Sequence, residues 1–186
     1  MRIIVGISGA SGAVLGVEVL KALRRVGGVE VHLVVSKDSS KTLAIELKTT
    51  VKEIRDMADV VHPVENLAAS IASGSFRTEG MIVAPCSMKT LAGIASGFSN
   101  NLLLRAADVC LKERRKLVVV PRETPMSGVH LRNLLMVHQE GGIILPAMMS
   151  FYNQPESIQD MLDHLIGKIL MQFGLEYDHF RPWQGI

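Results

Sequence analysis

A glycine-rich segment near the start of the chain has the residue types that ligand-binding loops need. It reads VGISGASGA over residues 5–13, with glycine at every third position and only isoleucine, serine and alanine between the glycines. Backbone without a Cβ atom turns tightly and lets a ligand approach closely, so the segment predicts either a phosphate site at a helix N-terminus or a closely packed strand-to-helix turn. It matches neither GxGxxG nor GxxxxGK[ST], and both interpretations stay open.

Hydroxyl residues recur where the apolar runs of the chain end. The ends of the four later runs read VVSKDSS, APCSMKT, VPRETPMS and PAMMSFYNQP. Hydroxyl groups and backbone amides can hold a phosphate monoester without a metal, so together these segments favour a mononucleotide over ATP. Taken one at a time, Ser36, Ser87 and Ser127 are equally typical of helix N-caps.

Four basic residues indicate a second anion site: Arg105, Lys112, Arg122 and Lys168. Arg105 and Lys112 are seven residues apart, so they share a helix face. Arg122 follows an apolar strand directly, where a second anionic group beside the first ligand would account for it. Lys112 stands in the charged run KERR, which is as typical of a solvated helix face.

Two further residues could carry chemistry, and each has a simpler explanation. Glu46 lies among alanine, isoleucine and leucine in SKTLAIEL, where burial would raise its pKa, although an exposed helix position is the default. Cys86 ends an apolar strand and has no neighbouring base in the sequence, which is typical of core packing rather than of a nucleophile. The histidines have neither triad nor metal-ligand spacing.

These residues must be positioned by alternating strands and helices. Five apolar, β-branched runs predict buried strands at residues 3–7, 29–35, 81–85, 117–121 and 143–147. Helical spacing predicts helices before Gly27, in SKTLAIEL, and over 102–115, 131–138 and 156–173, whereas residues 61–80 have no clear period and predict a loop with a short helix. The alternation predicts a mainly parallel sheet with helices on both faces and ligands at the carboxyl ends of the strands.

Composition limits the classes of function. The length of 186 residues suits a single domain over residues 1–186. A net charge of +2 with 4% aromatic residues argues against nucleic-acid binding, and no apolar run reaches the roughly 18 residues of a membrane span. Cys86 and Cys110 have no disulfide-framework or zinc spacing, which favours a reducing cytoplasm. Only 20% charged residues, together with ten methionines, predict a surface partly covered by other copies of the chain.

Read in order, six segments of the chain resemble the flavin prenyltransferase family, the UbiX-like proteins formerly described as aromatic acid decarboxylase subunits. They are GISGASGA, VVSK, PCSMKT, NNLLLRAADVCLKERR, VVVPRETPMS and FYNQP, and they span nearly the whole chain. The resemblance implies a flavodoxin-like or Rossmann-like three-layer α/β domain with a mainly parallel sheet. It also implies that reduced FMN receives a dimethylallyl group from dimethylallyl phosphate at N5 and C6, without a metal, and that the prenylated FMN serves a UbiD-type decarboxylase.

The resemblance implies roles for individual residues. Those that would contact FMN are Gly9, Ala10, Ser11, Ser36, Ser87, Met88, Lys89, Thr90 and Arg122. Those that would bind dimethylallyl phosphate are Arg105, Lys112, Tyr152 and Lys168, with lysine at 168 where the family pattern has arginine. Ser11, Glu46 and Glu123 would be catalytic and manage protons, with Glu46 protonating the leaving phosphate if its pKa is raised.

The resemblance also implies an oligomeric state. The resembled family forms twelve-subunit particles built from trimers with the active site between subunits, which implies a homo-oligomer here and places the C-terminal tail, residues 175–186, at a subunit interface. A tail folded over its own domain is the alternative. Two other functions stay open: an FMN-dependent cysteine decarboxylase of similar architecture, and a non-catalytic FMN carrier or decarboxylase subunit.

Overall fold

Strands and helices alternate along residues 1–185, the part of the chain that the computed structural model describes. The strands are β1 (Arg2–Ile7), β2 (Glu30–Val35), β3 (Val60–His62), β4 (Gly80–Cys86), β5 (Lys116–Pro121) and β6 (Ile143–Ile144). The helices are α1 (Ala13–Val26), α2 (Ser39–Leu47), α3 (Val51–Arg55), α4 (Met88–Ala95), α5 (Leu102–Lys112), α6 (Gly128–Gln139) and α7 (Ile158–Met171), with a short 3-10 helix at Ser70–Ala72.

The strands form one sheet in the order β3-β2-β1-β4-β5-β6, and the neighbouring strands are parallel throughout. The predicted parallel α/β architecture is therefore confirmed. The strand order is that of Rossmann-type sheets, in which the order of strands reverses between β1 and β4. Ligands of such sheets bind outside the carboxyl ends of the strands at this switch point.

Alternate side chains of the strands point to opposite faces of the sheet, which gives the domain two separate cores. On one face, Ile3, Val5 and Ile7 of β1 pack with α1, α2, α3 and α7. On the other face, Ile4 packs with α4, α5 and α6. Burying one leucine or isoleucine side chain stabilises the fold by about 1.5–3 kcal/mol, so each helix is fixed to its face. Helices α5 and α7 consequently lie on opposite sides of the sheet.

Two predicted segments differ from the observed ones because they lack a long apolar run. The segment 61–80 is a loop with a short 3-10 helix, as predicted, but its first two residues belong to β3, a three-residue, half-buried strand, and its last residue, Gly80, begins β4. The last predicted strand, 143–147, is regular only over Ile143–Ile144. Helices α3 and α4 were not predicted, and at five and eight residues they are shorter than the mean helix of about 11.

Two helix ends are set by local backbone chemistry. Helix α5 ends at Lys112 rather than at the predicted Arg115, because Arg114 adopts a left-handed φ of 55°. Helix α7 begins two residues later than predicted, since the Asp160 carboxylate accepts a hydrogen bond from the Ser157 amide (3.0 Å) and so caps the helix from within its first turn.

Within residues 1–185, the helices are too short or too polar to cross a membrane. The same part of the chain has no group of three or more histidine, cysteine, aspartate or glutamate side chains arranged to hold a metal ion.

Candidate functional site

A cavity of about 680 Å³ opens at the carboxyl ends of β1, β2 and β4. This position is the switch point of the sheet, where ligands are expected. Five of the residues predicted to contact FMN line the cavity: Gly9, Ser36, Ser87, Lys89 and Thr90. The volume lies within the range of about 300–1,000 Å³ that is typical of small-molecule sites.

The N-terminus of α4 supplies the hydrogen-bond donors of this cavity. Ser87 caps the helix, since its Oγ accepts a hydrogen bond from the Thr90 amide (3.2 Å) and donates one to the Thr90 hydroxyl (3.1 Å). The capping interpretation of Ser87 is confirmed, and the same residue lines the cavity. Within residues 1–185, the amide of Lys89, a residue that lines the cavity, has no acceptor, so it remains available to a phosphate.

Two ion pairs cross the rim of the cavity. Lys89 pairs with Asp38, and Lys37 pairs with Glu65 at 2.9 Å. The hydrogen bond and the charge of Lys89 hold the pKa of Asp38 below its usual range. Exposed ion pairs of this kind contribute only about 0–1 kcal/mol, so Lys89 can exchange Asp38 for a phosphate at little cost.

The other two serines interpreted as helix caps behave differently from each other. Ser127 caps α6, because its hydroxyl accepts a hydrogen bond from the His130 amide (3.3 Å). Ser36 is not a cap, and the capping interpretation is wrong there: its hydroxyl pairs with the Ser39 hydroxyl at 2.6 Å, and α2 begins after Asp38.

The glycine-rich loop brings together three residues that are far apart in sequence: Ser11, Glu46 and Arg122. The Glu46 carboxylate accepts hydrogen bonds from the backbone amides of Gly12 and Ala13, both at 2.9 Å. Arg122 Nε donates to the Ser11 carbonyl oxygen (3.0 Å). The amides that a phosphate would use at the N-terminus of α1 are therefore occupied by a carboxylate of the chain itself.

The prediction that burial raises the pKa of Glu46 is wrong. Burial does favour the neutral acid, but hydrogen bonds from the Ser11 side chain and from the amides of Ala13 and Gly12, together with the Arg122 charge, outweigh it and lower the pKa. The positive end of the α1 dipole adds to the same preference. Glu46 is therefore ionised at neutral pH.

Close packing and backbone conformation explain two of the loop glycines. A Cβ atom on Gly9 would lie 2.5 Å from Cβ of Asp38, and Gly12 has a left-handed φ of 90°. The packed-turn interpretation of the loop is supported, while Gly9 also faces the cavity. Ala10 and Met88, both predicted to contact FMN, are buried and do not line the cavity.

Two of the predicted prenyl-phosphate residues lie on α5, on the face of the sheet that carries α4 and α6. Arg105 Nε donates to the carbonyl oxygen of Ala72 (3.1 Å), and its guanidinium also pairs with Asp108 (2.6 Å). Lys112 pairs with its neighbour Glu113. Both cations therefore have partners within this chain.

The other two predicted prenyl-phosphate residues lie on the opposite face, at α7. The Tyr152 ring is 53% exposed, and its hydroxyl hydrogen-bonds to Nε2 of His164 at 3.1 Å. Lys168 is an exposed residue of α7, one turn beyond His164. A single chain therefore does not bring Tyr152 and Lys168 together with Arg105 and Lys112.

The other two candidate residues, Glu123 and Cys86, contact neighbouring backbone and the core, respectively. Glu123 is half-buried in the loop after β5, where its carboxylate accepts a hydrogen bond from the Thr124 amide (3.1 Å). Cys86 is fully buried, and burial raises the pKa of its thiol, which keeps it protonated. The core-packing interpretation of Cys86 is confirmed.

The described part of the tail packs on its own helix α7. The buried carboxylate of Asp163 accepts hydrogen bonds from the Tyr177 hydroxyl (3.0 Å) and from His179 Nδ1 (3.2 Å). Trp183 leans edge-on against Tyr152, with a centroid distance of 5.5 Å, and is 57% exposed. An interface role of residues 175–186 stays a prediction, and Ile186 lies outside the described residues.

Sequence reasoning missed residues that matter to both regions. Asp38, which pairs with Lys89 across the cavity rim, and Asn101, which caps α5 from the cavity wall, are unremarkable loop residues in the sequence. Asn101 precedes an apolar periodic run, which is an N-cap signal that could have identified it. His164 has no sequence signal, because its importance lies in the partner it meets twelve residues away.

The fold and the cavity at its switch point define a nucleotide-binding α/β class, and comparison with known proteins specifies it. A family model described as Flavoprotein matches residues 1–170. The class is therefore that of the flavoproteins.

Relatives of high identity define the family within that class. The chain is 53% identical over 185 residues to the "Probable UbiX-like flavin prenyltransferase" of Sedimentibacter hydroxybenzoicus, covering 100% of this chain and 98% of the relative. It is 47% identical to "Flavin prenyltransferase UbiX" of Escherichia coli (strain K12), with 99% and 98% covered. The chain belongs to the UbiX-like flavin prenyltransferases and is an enzyme of that kind, as the resemblance implied.

Solved structures agree with this assignment. A dodecameric FMN-dependent UbiX-like decarboxylase from Escherichia coli O157:H7 has a TM-score of 0.97 at 51% identity, with 100% of both chains covered. AnUbiX (PadA1), in complex with FMN and dimethylallyl pyrophosphate, has a TM-score of 0.97 at 50% identity, with 100% of this chain and 98% of that chain covered. The cysteine decarboxylase SpaF has a TM-score of 0.64 at 18% identity, with 78% and 83% covered, which shows a likeness of fold alone.

Proposed function

We propose that the protein transfers a dimethylallyl group from dimethylallyl phosphate to N5 and C6 of reduced FMN, and that a UbiD-type decarboxylase uses the prenylated product. The observation that carries this proposal is the 680 Å³ cavity at the switch point, since residues predicted from the sequence to contact FMN line it. The solved relative that holds FMN and dimethylallyl pyrophosphate supports the same pairing of ligands.

The cavity fits a flavin mononucleotide in size and in chemistry. The free amide of Lys89, together with the Lys89 ammonium group, suits the single phosphate of FMN. Leu103 and Leu104 give the cavity an apolar wall against which a planar ring can pack. Reduced FMN supplies the electron-rich ring that accepts the prenyl group, and the chain supplies its binding and orientation.

The leaving phosphate is bound by four residues: Arg105, Lys112, Tyr152 and Lys168. Cations and hydroxyl donors fixed around a departing phosphate stabilise the charge that develops as its carbon–oxygen bond breaks, which makes a metal unnecessary. Because α5 and α7 lie on opposite faces of the sheet, these four residues can surround one phosphate only if two copies of the chain contribute.

This geometry supports a homo-oligomer with active sites between subunits. The dodecameric relative from Escherichia coli O157:H7 supports the same state, and we propose a dodecamer built from trimers. Apolar side chains exposed on α6 and on the loop before α7 are available to such interfaces, for example Leu131, Leu135, Met148 and Phe151.

Proton transfer is assigned to the loop that holds Ser11. Because Glu46 is ionised at neutral pH and accepts hydrogen bonds from the two backbone amides that follow Ser11, its role is to hold the loop that carries Ser11 and to accept a proton rather than to protonate the leaving phosphate. Glu123, next to Arg122 in the loop after β5, is a second carboxylate at this edge of the sheet.

The test is an anaerobic incubation of the purified protein with reduced FMN and either dimethylallyl phosphate or dimethylallyl pyrophosphate, followed by mass spectrometry of the released flavin. We expect a flavin heavier by one prenyl unit with the monophosphate. A protein that binds FMN yet yields no adduct with either donor contradicts the proposal. A prenylated flavin that fails to activate a UbiD-type apo-decarboxylase contradicts only the proposed partner.

A further inference from the structure

The Tyr152 hydroxyl hydrogen-bonds to a buried histidine, His164, that has no role in the proposed reaction. His164 of α7 is only 7% exposed, and its Nε2 lies 3.1 Å from the Tyr152 hydroxyl oxygen. The two rings meet edge to face, with centroids 5.4 Å apart and planes at 86°. The hydroxyl group of Tyr152 is thereby fixed although its ring is half exposed.

The second ring nitrogen of His164 decides which way this hydrogen bond runs. His164 Nδ1 is buried, and within residues 1–185 it has no hydrogen-bond partner. A buried N–H group without an acceptor is rarer in proteins than an acceptor without a donor, so the ring carries its proton on Nε2. Burial and the nearby Lys168 charge lower the pKa of His164, which keeps the ring neutral.

With this tautomer, His164 donates its Nε2–H to the Tyr152 oxygen. A tyrosine hydroxyl has one proton and can accept as well as donate. Because the oxygen already accepts from His164, the proton of Tyr152 is directed to another acceptor in front of the ring. A phosphate oxygen is such an acceptor.

The tail holds His164 and Tyr152 in this arrangement. The Phe180 ring lies 5.2 Å from the His164 ring and occupies the space beside Gly167, where a Cβ atom would come within 2.3 Å of it. Trp183 covers another edge of Tyr152. The arrangement therefore depends on side chains from three segments, namely the loop before α7, α7 itself and the tail.

We infer that His164 is a positioning residue for the prenyl donor: it donates to the Tyr152 oxygen so that the Tyr152 hydroxyl proton is presented to the phosphate of dimethylallyl phosphate. This inference rests on the proposed function, because it takes the prenyl phosphate as the acceptor.

A double-mutant cycle tests it. His164→Phe keeps a buried ring but removes the donor, and we expect the KM for dimethylallyl phosphate to rise about three- to tenfold, the worth of one hydrogen bond, with kcat and FMN affinity near those of the parent protein. Tyr152→Phe should raise the same KM at least as much. In the Tyr152→Phe background, His164→Phe should add nothing, since the group through which it acts is already absent.

Two further variants separate positioning from packing. His164→Gln keeps an N–H donor near the same place and should recover part of the KM, whereas His138→Gln on the exposed face of α6 should leave KM unchanged. If the fold-increases in KM caused by His164→Phe and by Tyr152→Phe multiply in the double variant, the inference is overturned. An unchanged KM in His164→Phe also overturns it.

A readout that needs no turnover distinguishes this inference from the proposed function. NMR of the protein with ¹⁵N-labelled histidine should show His164 as the Nε2–H tautomer, and Tyr152→Phe should shift its Nε2 signal. A proton on Nδ1 overturns the inference even if prenylation is confirmed. If the parent protein forms no adduct, the proposed function has failed, and with it the assignment of phosphate as the acceptor.

Discussion

The cavity at the switch point and the residues predicted to bind the prenyl phosphate differ in how the chain positions them. The cavity is built from the ends of β1, β2 and β4 and the start of α4, all at one edge of one sheet. The predicted prenyl-phosphate residues lie on α5 and around α7, on opposite faces of the sheet. Parallel strands bring their carboxyl ends together automatically, whereas helices on opposite faces can meet only through a second copy of the chain.

The two regions also differ in how their polar groups are satisfied. At the cavity, the amide of Lys89 is free of partners in the described chain. On α5, Arg105 and Lys112 already have carboxylate partners. The backbone donor at the cavity is ready for a ligand, whereas Lys89 at the cavity and the two cations on α5 must exchange their carboxylate partners before they can bind a phosphate.

The largest expected effect tests whether the prenyl-phosphate site is shared between copies. Lys112→Ala and Lys168→Ala should each lower kcat/KM at least about 100-fold, because each removes a cation from the departing phosphate, while FMN affinity stays within about twofold. Lys52→Ala, on exposed α3, is the matched control. Steady-state kinetics with dimethylallyl phosphate measure kcat/KM, and fluorescence titration with FMN measures the flavin affinity.

Co-expression of these two inactive variants then decides the point directly. In mixed oligomers some sites combine the intact Lys112 of one copy with the intact Lys168 of another, so part of the activity should return. If the mixed oligomers stay inactive, Lys112 and Lys168 act in the same chain. The prenyl-phosphate site would then be built within one chain, as the cavity is.

A substitution in the cavity should weaken FMN binding, which the lysine substitutions should leave unchanged. Gly9→Ala places a Cβ within 2.5 Å of Cβ of Asp38, so the loop after β2 must move, and we expect about a tenfold loss of FMN affinity and a lower Tm. Gly128→Ala is the control, since the nearest atom to its added Cβ is a flexible guanidinium nitrogen at 3.4 Å. Unchanged FMN affinity in Gly9→Ala, measured by titration, would contradict the placement of the flavin.

A smaller effect is expected when Lys168 is replaced by arginine, the residue that the family resemblance implies at this position. Lys168→Arg replaces a point charge by a planar fork that can bind two phosphate oxygens, so the KM for dimethylallyl phosphate should fall about two- to fivefold with FMN affinity unchanged. A rise in KM, measured by the same assay, would mean that the geometry around residue 168 suits an ammonium group better.

The smallest effect concerns pH and the ionised Glu46. Its folded-state pKa is lowered, so its interactions stabilise the protein above the unfolded-state value of about 4.5 and are lost as pH falls through the folded-state pKa. Glu46→Gln should therefore lower Tm by a few degrees at pH 7 and by less at pH 4. An equal difference at both values, in thermal melts of the two proteins, would show that ionisation of Glu46 does not contribute.

The sequence predicts the cavity better than the rest of the site, for a physical reason. Strand ends and the residues after them can be located from apolar runs, and parallel pairing then places Gly9, Ser36 and Ser87 together. The setting of Glu46 could not be predicted, because the amides it binds belong to a loop more than 30 residues away. Nor could the separation of α5 from α7, which follows from the face on which each helix packs.

His164 illustrates the same limit at the level of one contact. A histidine at an apolar helix position is usually a satisfied core residue, and only the position of Tyr152 reveals a role. Resemblance to a family identified the tyrosine but not the residue behind it.

The position of Trp183 turns the tail into an optical reporter. It is the single tryptophan of the chain and lies edge-on to Tyr152. Its emission therefore comes from one known place, and both solvent access and energy transfer to a bound flavin will change its intensity. Intrinsic fluorescence can therefore follow undocking of the tail, binding of the flavin and the proposed assembly of subunits, without attaching a dye.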